Sequence, residues 1–285
     1  MNATLRASIV VIGDEILDGY VRDTNSGWLA GRLHHLGIPL ERVAVVPDDA
    51  AAIGEALAAE LGRARPRVVF TSGGIGTTPD DRTMAAVAGF LGVDLVEDRY
   101  LRGMVDDIVT RLRERGHEVD AAQRAALAKL ARVPRGASPA AGPDTTTPSA
   151  RIDLDGGPAA AGGATVIVLP GVPGQFKDLV GRLESTLLSG RGATVTVEEL
   201  THPYPESVMT PLLEDLGDRW PQVRIGSYPG PECLLRVQGP GEAVGAVADE
   251  LRAAIEGFAD DPSMQHLAER WRQGWTRAHG STTGD

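Results

Sequence analysis

The sequence predicts an α/β fold: a doubly wound, mainly parallel sheet followed by a smaller α+β domain. Three observations predict it. Four short apolar runs alternate with helical patterns over the first 190 residues, each run leads straight into a loop rich in Gly, Pro and Asp, and the pattern then changes to alternating strands.

Residues 8–12, 42–46, 67–71 and 165–169 read as buried parallel strands. Between them, residues 26–36, 49–63 and 80–91 carry apolar side chains at helical spacing. Residues 98–115 give the clearest helix, with Leu101, Met104, Val105, Ile108, Val109 and Leu112 on one face. A further helix is expected over 119–131 and another over 173–188. The Pro, Gly, Ala, Ser and Thr of residues 134–164 predict a flexible excursion with a short strand at 150–154.

Beyond this first domain, residues 1–190, the order becomes β-α-β-β-α over 191–260. Strands are expected at 193–200, 223–228 and 233–238, with helices at 206–216 and 242–258. This order is shared with RNA-binding KH modules, but no basic stripe accompanies it, so nucleic acid is not an expected partner. Residues 261–285 read as a tail, a short helix and then a disordered end. Its stripe of Met264, Leu267, Trp271 and Trp275 reads as a docking face rather than a cofactor box.

Composition narrows the function. Apolar residues make up 42% of the 285, and the net charge of −11 disfavours nucleic acid and anionic membrane. Cys233 is the single cysteine and lies in an apolar run, which fits a buried side chain and a reducing cytoplasm. No segment has the length or flanks of a membrane span or a leader. No Ser-His-Asp or Cys-His arrangement is argued by the sequence. The six histidines form no metal-ligand spacing, and His34 and His35 sit among leucines on a helix.

The stretch Val68-Val-Phe-Thr-Ser-Gly-Gly-Ile-Gly-Thr-Thr-Pro-Asp-Asp-Arg-Thr83 carries the most chemistry. Gly73, Gly74 and Gly76 let the backbone turn sharply and offer N–H groups to an anion, with Ser72 and Thr77 alongside. Two carboxylates in the same turn would repel a bare phosphate, so a divalent cation is expected between them and it. Asp80 reads as the helix cap, leaving Asp81 to face a ligand. The other strands lead into Gly13-Asp14-Glu15, Pro47-Asp48-Asp49 and Pro170-Gly171-Val172-Pro173. Ligands of open α/β sheets bind beyond the carboxyl ends of the strands, so the four loops are expected to form one site. Taken singly, Asp48 or Asp49 reads rather as a cap of the following helix and Asp14 and Glu15 rather as a solvated turn, and Pro173 reads also as a helix start.

As a set, Val11-Ile-Gly-Asp-Glu-Ile-Leu-Asp-Gly19, Asp23-Thr-Asn25, Val46-Pro-Asp-Asp49, Ser72-Gly-Gly-Ile-Gly-Thr-Thr-Pro-Asp-Asp81 and Leu169-Pro-Gly-Val-Pro173 resemble the MoaB/Mog molybdopterin-binding domain. In form they resemble the N-terminal part of the competence/damage-inducible CinA family, whose second domain is resembled by Tyr204-Pro-Glu-Ser207 and Ile225-Gly-Ser-Tyr-Pro229. The resemblance implies a three-layer α/β fold and a ligand that is molybdopterin-like or an adenine-nucleotide pyrophosphate. It implies that Asp48 and Asp81 match the two aspartates serving metal-dependent adenylyl chemistry in Mog-type relatives. For CinA-type relatives it implies metal-dependent cleavage of pyrophosphates such as ADP-ribose. It also implies a homodimer. The C-terminal nicotinamide-nucleotide amidase domain of many CinA proteins is not expected within these 285 residues. Two stretches depart from the family pattern: the segment before Val133-Pro-Arg-Gly-Ala137 is apolar or basic where relatives have Asn and Gln, and Gly142-Pro-Asp-Thr-Thr-Thr-Pro148 stands where they have Gly-Thr-Ala-Pro-Gly.

The expectation is thus a cytoplasmic pyrophosphatase of ADP-ribose or FAD type using Mg²⁺, Mn²⁺ or Co²⁺. Molybdopterin adenylyl transfer and a catalytically silent binding protein are the alternatives. Asp48 and Asp81 are the expected catalytic residues. With Asp49 they are the expected metal ligands. Gly13, Asp14, Glu15, Asn25, Ser72, Gly73, Gly74, Gly76, Thr77, Asp80, Pro170, Gly171 and Pro173 are expected around the ligand.

Overall fold

The computed structural model describes residues 3–142, 147–154, 159 and 162–279. The chain divides between Ala193 and Thr194 into two compact units, each with its own core. In chain order the first unit begins with β1 (Arg6–Ile12), α1 (Asp14–Leu17), α2 (Asn25–His35), β2 (Leu40–Val46), α3 (Ala50–Leu61) and β3 (Arg67–Ser72). It continues with α4 (Thr83–Leu91), β4 (Leu95–Glu97), α5 (Arg99–Glu114), α6 (Ala121–Ala128) and β5 (Arg132–Pro134). β6 (Ala150–Asp153), β7 (Ala164–Leu169) and α7 (Pro173–Leu183) complete it.

The main sheet has the order β2-β1-β3-β7-β6. Its first four strands are parallel, and β6 runs antiparallel along the edge of β7. Successive side chains of a strand point to opposite faces, so a strand covered on both sides must be apolar throughout. Ile9 and Val11 accordingly pack with Leu29 and Leu33 of α2 and with Phe176 and Leu179 of α7. Val10 and Ile12 meet Ile53 and Leu57 of α3, Val87 of α4 and Leu101 and Val105 of α5. Two helical layers therefore enclose the sheet, and each fully buried side chain of this kind contributes roughly 1.5–3 kcal/mol.

Several boundaries differ from the sequence reading for physical reasons. β2 is an edge strand rather than a buried one, with Val43 46% and Val45 38% exposed. The helix expected over 119–131 divides, because α6 ends in a 3-10 turn at Lys129–Ala131. The helix expected over 173–188 ends its α form at Leu183 and passes into a π turn, Glu184–Leu188. β4 and β5 form an additional antiparallel pair. The short strand expected near 150 is β6, which is part of the sheet. Residues 143–146, 155–158 and 160–161 of the expected excursion lie outside the described residues, as does the end of the tail from Gly280.

The second unit contains β8 (Thr196–His202), α8 (Glu206–Arg219), β9 (Arg224–Tyr228), β10 (Cys233–Gly239), α9 (Gly241–Ala259) and α10 (Pro262–His279). Its antiparallel sheet has the order β8-β10-β9, and Leu235, Val237, Met209, Val244 and Leu251 form its core. The tail helix is longer than expected, at 18 residues. Part of its aromatic stripe is used within the unit, where the Trp271 indole donates to Gly230 O at 3.0 Å. Among the described residues no helix is long and apolar enough to cross a membrane.

Pairing in the main sheet sets up the site. Ile12 lies opposite Val46, Val11 opposite Ser72, and Ser72 opposite Leu169. The four parallel strands thus end level with one another and release their loops along one edge. From β1 the chain goes first to β2 on one side and then to β3 on the other. The crevice such a reversal opens lies between the loops after β1 and β3.

Candidate functional site

Hydrogen bonds tie the four loops together. Gly13 N–H donates to Val46 O at 3.1 Å, and Gly73 N–H to Leu169 O at 3.1 Å. Asp14 N–H donates to Asp48 Oδ2 at 3.0 Å, joining the loops after β1 and β2. Buried Asn25 donates through Nδ2 to Ser72 Oγ at 2.9 Å and to Gly171 O at 2.8 Å, clasping the loops after β3 and β7. Its Oδ1 has no partner among the described residues.

The glycine turn is fixed by close approach. Gly73 and Gly74 have φ of 112° and 64°, the left-handed region that favours glycine. A Cβ on Gly73 would run into Ile12 O, and one on Gly74 would overlap the Thr83 hydroxyl and lie 3.2 Å from Asp48 Oδ1. The turn therefore passes directly beside Asp48. Thr83, a residue the sequence reading did not single out, anchors it: Oγ1 donates to Gly73 O and N–H to Gly74 O, each at 2.9 Å. Among the described residues no acceptor engages the N–H groups of Gly74, Ile75 and Gly76.

Beside this turn lies an open pocket of about 620 Å³, walled by Asp14, Glu15, Asp18, Asp48 and Asp80, with Tyr20 at its edge. Burial pushes the Asp48 carboxyl above its ordinary value. The Asp14 N–H opposes this, while the negative charges of Glu15, Asp14 and Asp80 add to it. Asp80 is exposed, and the Thr78 hydroxyl that would hold it below its ordinary value donates to Asp81 Oδ2 instead, at 2.6 Å.

The structure changes the parts given to three aspartates. Asp49 caps α3, its Oδ1 accepting from Ala51 and Ala52 N–H at 3.0 Å each. Asp80 is not the cap of the next helix, because α4 begins only at Thr83; it lines the pocket with Asp48 instead. Asp81 is the residue engaged in the turn, its Oδ2 accepting from Thr78 N–H at 2.8 Å and Thr78 Oγ1 at 2.6 Å. Asp14 and Glu15 belong to the four-residue helix α1 rather than to a plain turn. Of the expected ligand residues only Asp14, Glu15 and Asp80 line this pocket; Gly13, Asn25, Ser72, Gly73, Thr77, Pro170, Gly171 and Pro173 do not, and Gly74, Gly76 and Asp81 line a separate pocket of about 260 Å³ with the cations Arg82, Lys129 and Arg132. Asp18 and Tyr20 do line it and were missed as site residues. Tyr20 is 89% exposed, an unusual setting for a large ring and the signal that could have drawn notice.

The donor set is all oxygen, which suits a hard cation such as Mg²⁺ or Mn²⁺. Among the described residues no three His, Cys, Asp or Glu side chains are grouped as a cage. Asp48 and Asp80 are two of the pocket carboxylates that could contribute oxygens to such an ion.

Fold and rim together define a class of α/β proteins whose loops gather beyond the carboxyl ends of a parallel sheet, where open sheets of this kind bind ligands. A family model described as "Probable molybdopterin binding domain" matches residues 8–189. A CinA-like protein of Mycobacterium sp. (strain MCS) is 41% identical over 216 residues, covering 74% of this chain and 49% of that protein. A CinA-like protein of Myxococcus xanthus is 32% identical, covering 88% of this chain and 58% of that protein, so the chain spans about half the length of these two relatives. A protein of Pyrococcus horikoshii is 30% identical over 277 residues, with 94% of this chain and 98% of that protein covered. Among solved structures, the CinA protein of Thermoplasma acidophilum aligns with a TM-score of 0.52 at 31% identity, over 65% of this chain and 98% of that one. The chain belongs to the molybdopterin-binding-domain family, as a CinA-like member with a MoaB/Mog-type domain.

Proposed function

We propose that the protein is a metal-dependent nucleotide pyrophosphatase acting on pyrophosphates of the ADP-ribose or FAD type. The observation that carries the reading is the approach of the glycine turn, with its unengaged N–H groups, to Asp48, which shares an open pocket with Asp80. The N–H groups of Gly74, Ile75 and Gly76 receive phosphate oxygens and hold the pyrophosphate against the rim. A divalent cation bound by Asp48 and Asp80 supplies charge neutralisation at those oxygens. Asp48, through a carboxylate oxygen not engaged by the cation, accepts a proton from the attacking water. One P–O bond of the pyrophosphate breaks and one forms to the water oxygen, so that ADP-ribose yields AMP and ribose 5-phosphate. Tyr20 offers a ring face on which a planar base can stack.

Incubation with ADP-ribose or FAD and Mg²⁺, Mn²⁺ or Co²⁺ tests the reading, with AMP release as the expected result. The description of the matching family model favours a second reading, adenylyl transfer to molybdopterin, which predicts turnover only with molybdopterin and ATP. Tight binding of either ligand without turnover would leave a silent binding protein. The proposal includes a homodimer in a cytoplasmic setting; light scattering that reads a monomer at micromolar concentration would remove the dimer.

A further inference from the structure

The two edges of the main sheet are finished differently. Along β6 the backbone of Arg151 exchanges hydrogen bonds with that of Ser138, at 2.7 and 3.0 Å, so this edge is covered. Along β2 no such cover is present among the described residues. Gly13 N–H donates to Val46 O, so by alternation the polar groups of Val46 and Ala44 face β1 and those of Val43 and Val45 face outward. The side chains of the same two valines are exposed. Exposed Leu17, from the α1 helix that packs beside β2, and Val21 extend the apolar surface.

Proteins usually guard an open edge with charge, proline or a bulge. The one irregularity of β2 lies at its start, where the register with β1 shifts between Ala7 and Ser8. Its two charges are spent on the chain itself: Glu41 pairs with Arg6 and Arg67, and Arg42 approaches Glu60. Val43-Ala-Val-Val46 is left as a regular, uncharged edge. This edge also separates opposite charges. Arg6, Arg42 and Arg63 stand at its amino end, with 39–48% of their side chains exposed. Asp14, Glu15, Asp48 and Asp49 stand at its carboxyl end.

We propose that β2 pairs antiparallel with β2 of a second copy of this chain, doubling the five-stranded sheet across a two-fold axis at Ala44. In this register Val43 lies opposite Val45 of the second copy and exchanges both backbone hydrogen bonds with it, while the small Ala44 meets its equivalent at the axis. An axis at Val43 would instead set Val45 against Glu41, whose carboxylate is held by its own arginines. The two-fold reverses the strand, so each basic end meets the acidic rim of the other copy. Arg42 of the second copy falls opposite Val46, one diagonal step from Asp48 and within reach of an arginine side chain. A pocket whose own wall has no cation thereby gains one from its neighbour. The inference rests on the homodimer included in the proposed function, to which it gives a surface, and is independent of the hydrolytic chemistry.

Sedimentation velocity of the full chain at micromolar concentration tests it. The wild type is expected to be a dimer whose dissociation constant rises with salt, and rises at least about tenfold in Val43→Lys/Val45→Lys, because edge lysines block strand pairing. Both valines are exposed, so circular dichroism should report an unchanged fold. Ala44→Cys should give a disulfide-linked dimer on oxidation with diamide, since the Cα atoms of such a non-hydrogen-bonded pair lie about 4.5 Å apart. The wild type should not cross-link, its Cys233 being buried. A wild-type monomer overturns both this inference and the homodimer of the proposed function. A wild-type dimer that survives the double lysine variant unchanged, or that Ala44→Cys does not cross-link, overturns the β2 surface alone and places the dimer contact elsewhere.

Discussion

The two ends of the main sheet handle charge in opposite ways. At the amino ends of the strands, Arg67 and Glu60 are each about 1% exposed and share one ion-pair network, in which only Glu60 Oε1 has no hydrogen-bond partner among the described residues. Arg67 Nη1 donates to Ser8 Oγ at 2.7 Å, Ser8 Oγ donates to Glu60 Oε2 at 2.5 Å, and Arg67 also bonds Glu41. Arg42 and Arg63 approach Glu60 at 3.4 and 3.3 Å. At the carboxyl ends, five carboxylates face one open pocket whose wall contains no cation. Buried charge is tolerated where it is paired and hydrogen-bonded, whereas clustered like charge is costly. The first end is built for stability. The second keeps an electrostatic cost that a bound cation would relieve.

The largest effect that could break this contrast is on the paired end. Arg67→Met removes the buried guanidinium that joins Ser8, Glu60 and Glu41, leaving Glu60 to Arg42 and Arg63 and Glu41 to Arg6, and should cost about 3 kcal/mol in chemical denaturation, while ligand binding by the folded fraction stays intact. An unchanged midpoint would mean the network contributes nothing. Next comes Gly74→Ala, which forces a side chain into a left-handed backbone and onto Thr83. It should cost about 1–3 kcal/mol and weaken ligand binding, because the turn beside Asp48 must move.

A smaller comparison sharpens the site itself. Asp80→Asn should raise the metal concentration needed for half-maximal activity more than Asp81→Asn does, since Asp80 shares the pocket with Asp48 and Asp81 is tied to Thr78. The reverse order would return the metal to Asp81, as the family resemblance implies.

The smallest effect is the pH dependence of stability, and its sign differs between the two ends. Glu41 is pulled toward a higher pKa by burial, but hydrogen bonds from Arg67 and Arg6 outweigh this and hold it below its ordinary value. Its contribution to stability is present above the unfolded pKa, about 4, and is lost as pH falls through the folded value. Asp48, raised chiefly by burial, stabilises the fold only when protonated, and that contribution is lost as pH rises through its folded pKa. Above about pH 5, Glu41→Gln should therefore lower Tm and Asp48→Asn should maintain or raise it, the two converging on wild type in acid.

Much of this was legible in the sequence. The strands announced themselves because β1, β3 and β7 are buried on both faces and read as unbroken apolar runs. β2 carries a similar run, Val43-Ala-Val-Val46, yet lies at an edge, and composition cannot separate those cases because sheet order is decided by the crossovers. The second unit followed the expected β-α-β-β-α order because half-exposed strands alternate visibly. The rim was legible as four polar loops, but the division of labour between Asp80 and Asp81 was not. Adjacent carboxylates after Pro79 differ only in where the turn points each one, and that is fixed by Thr78 and by the start of α4 at Thr83. The cationic pocket was hidden for a different reason: Arg82, Lys129 and Arg132 come from segments about 50 residues apart and meet only in the fold.

The most direct test of the carboxyl-end account is the rate of AMP release from ADP-ribose as Mn²⁺ is titrated, in wild type and in Asp48→Asn. The account predicts saturable, metal-dependent release by the wild type and a fall of about 10²–10⁴ in the variant, the usual contribution of a positioned base, with folding unimpaired. Equal rates in the two proteins, or wild-type release that needs no metal, would contradict it.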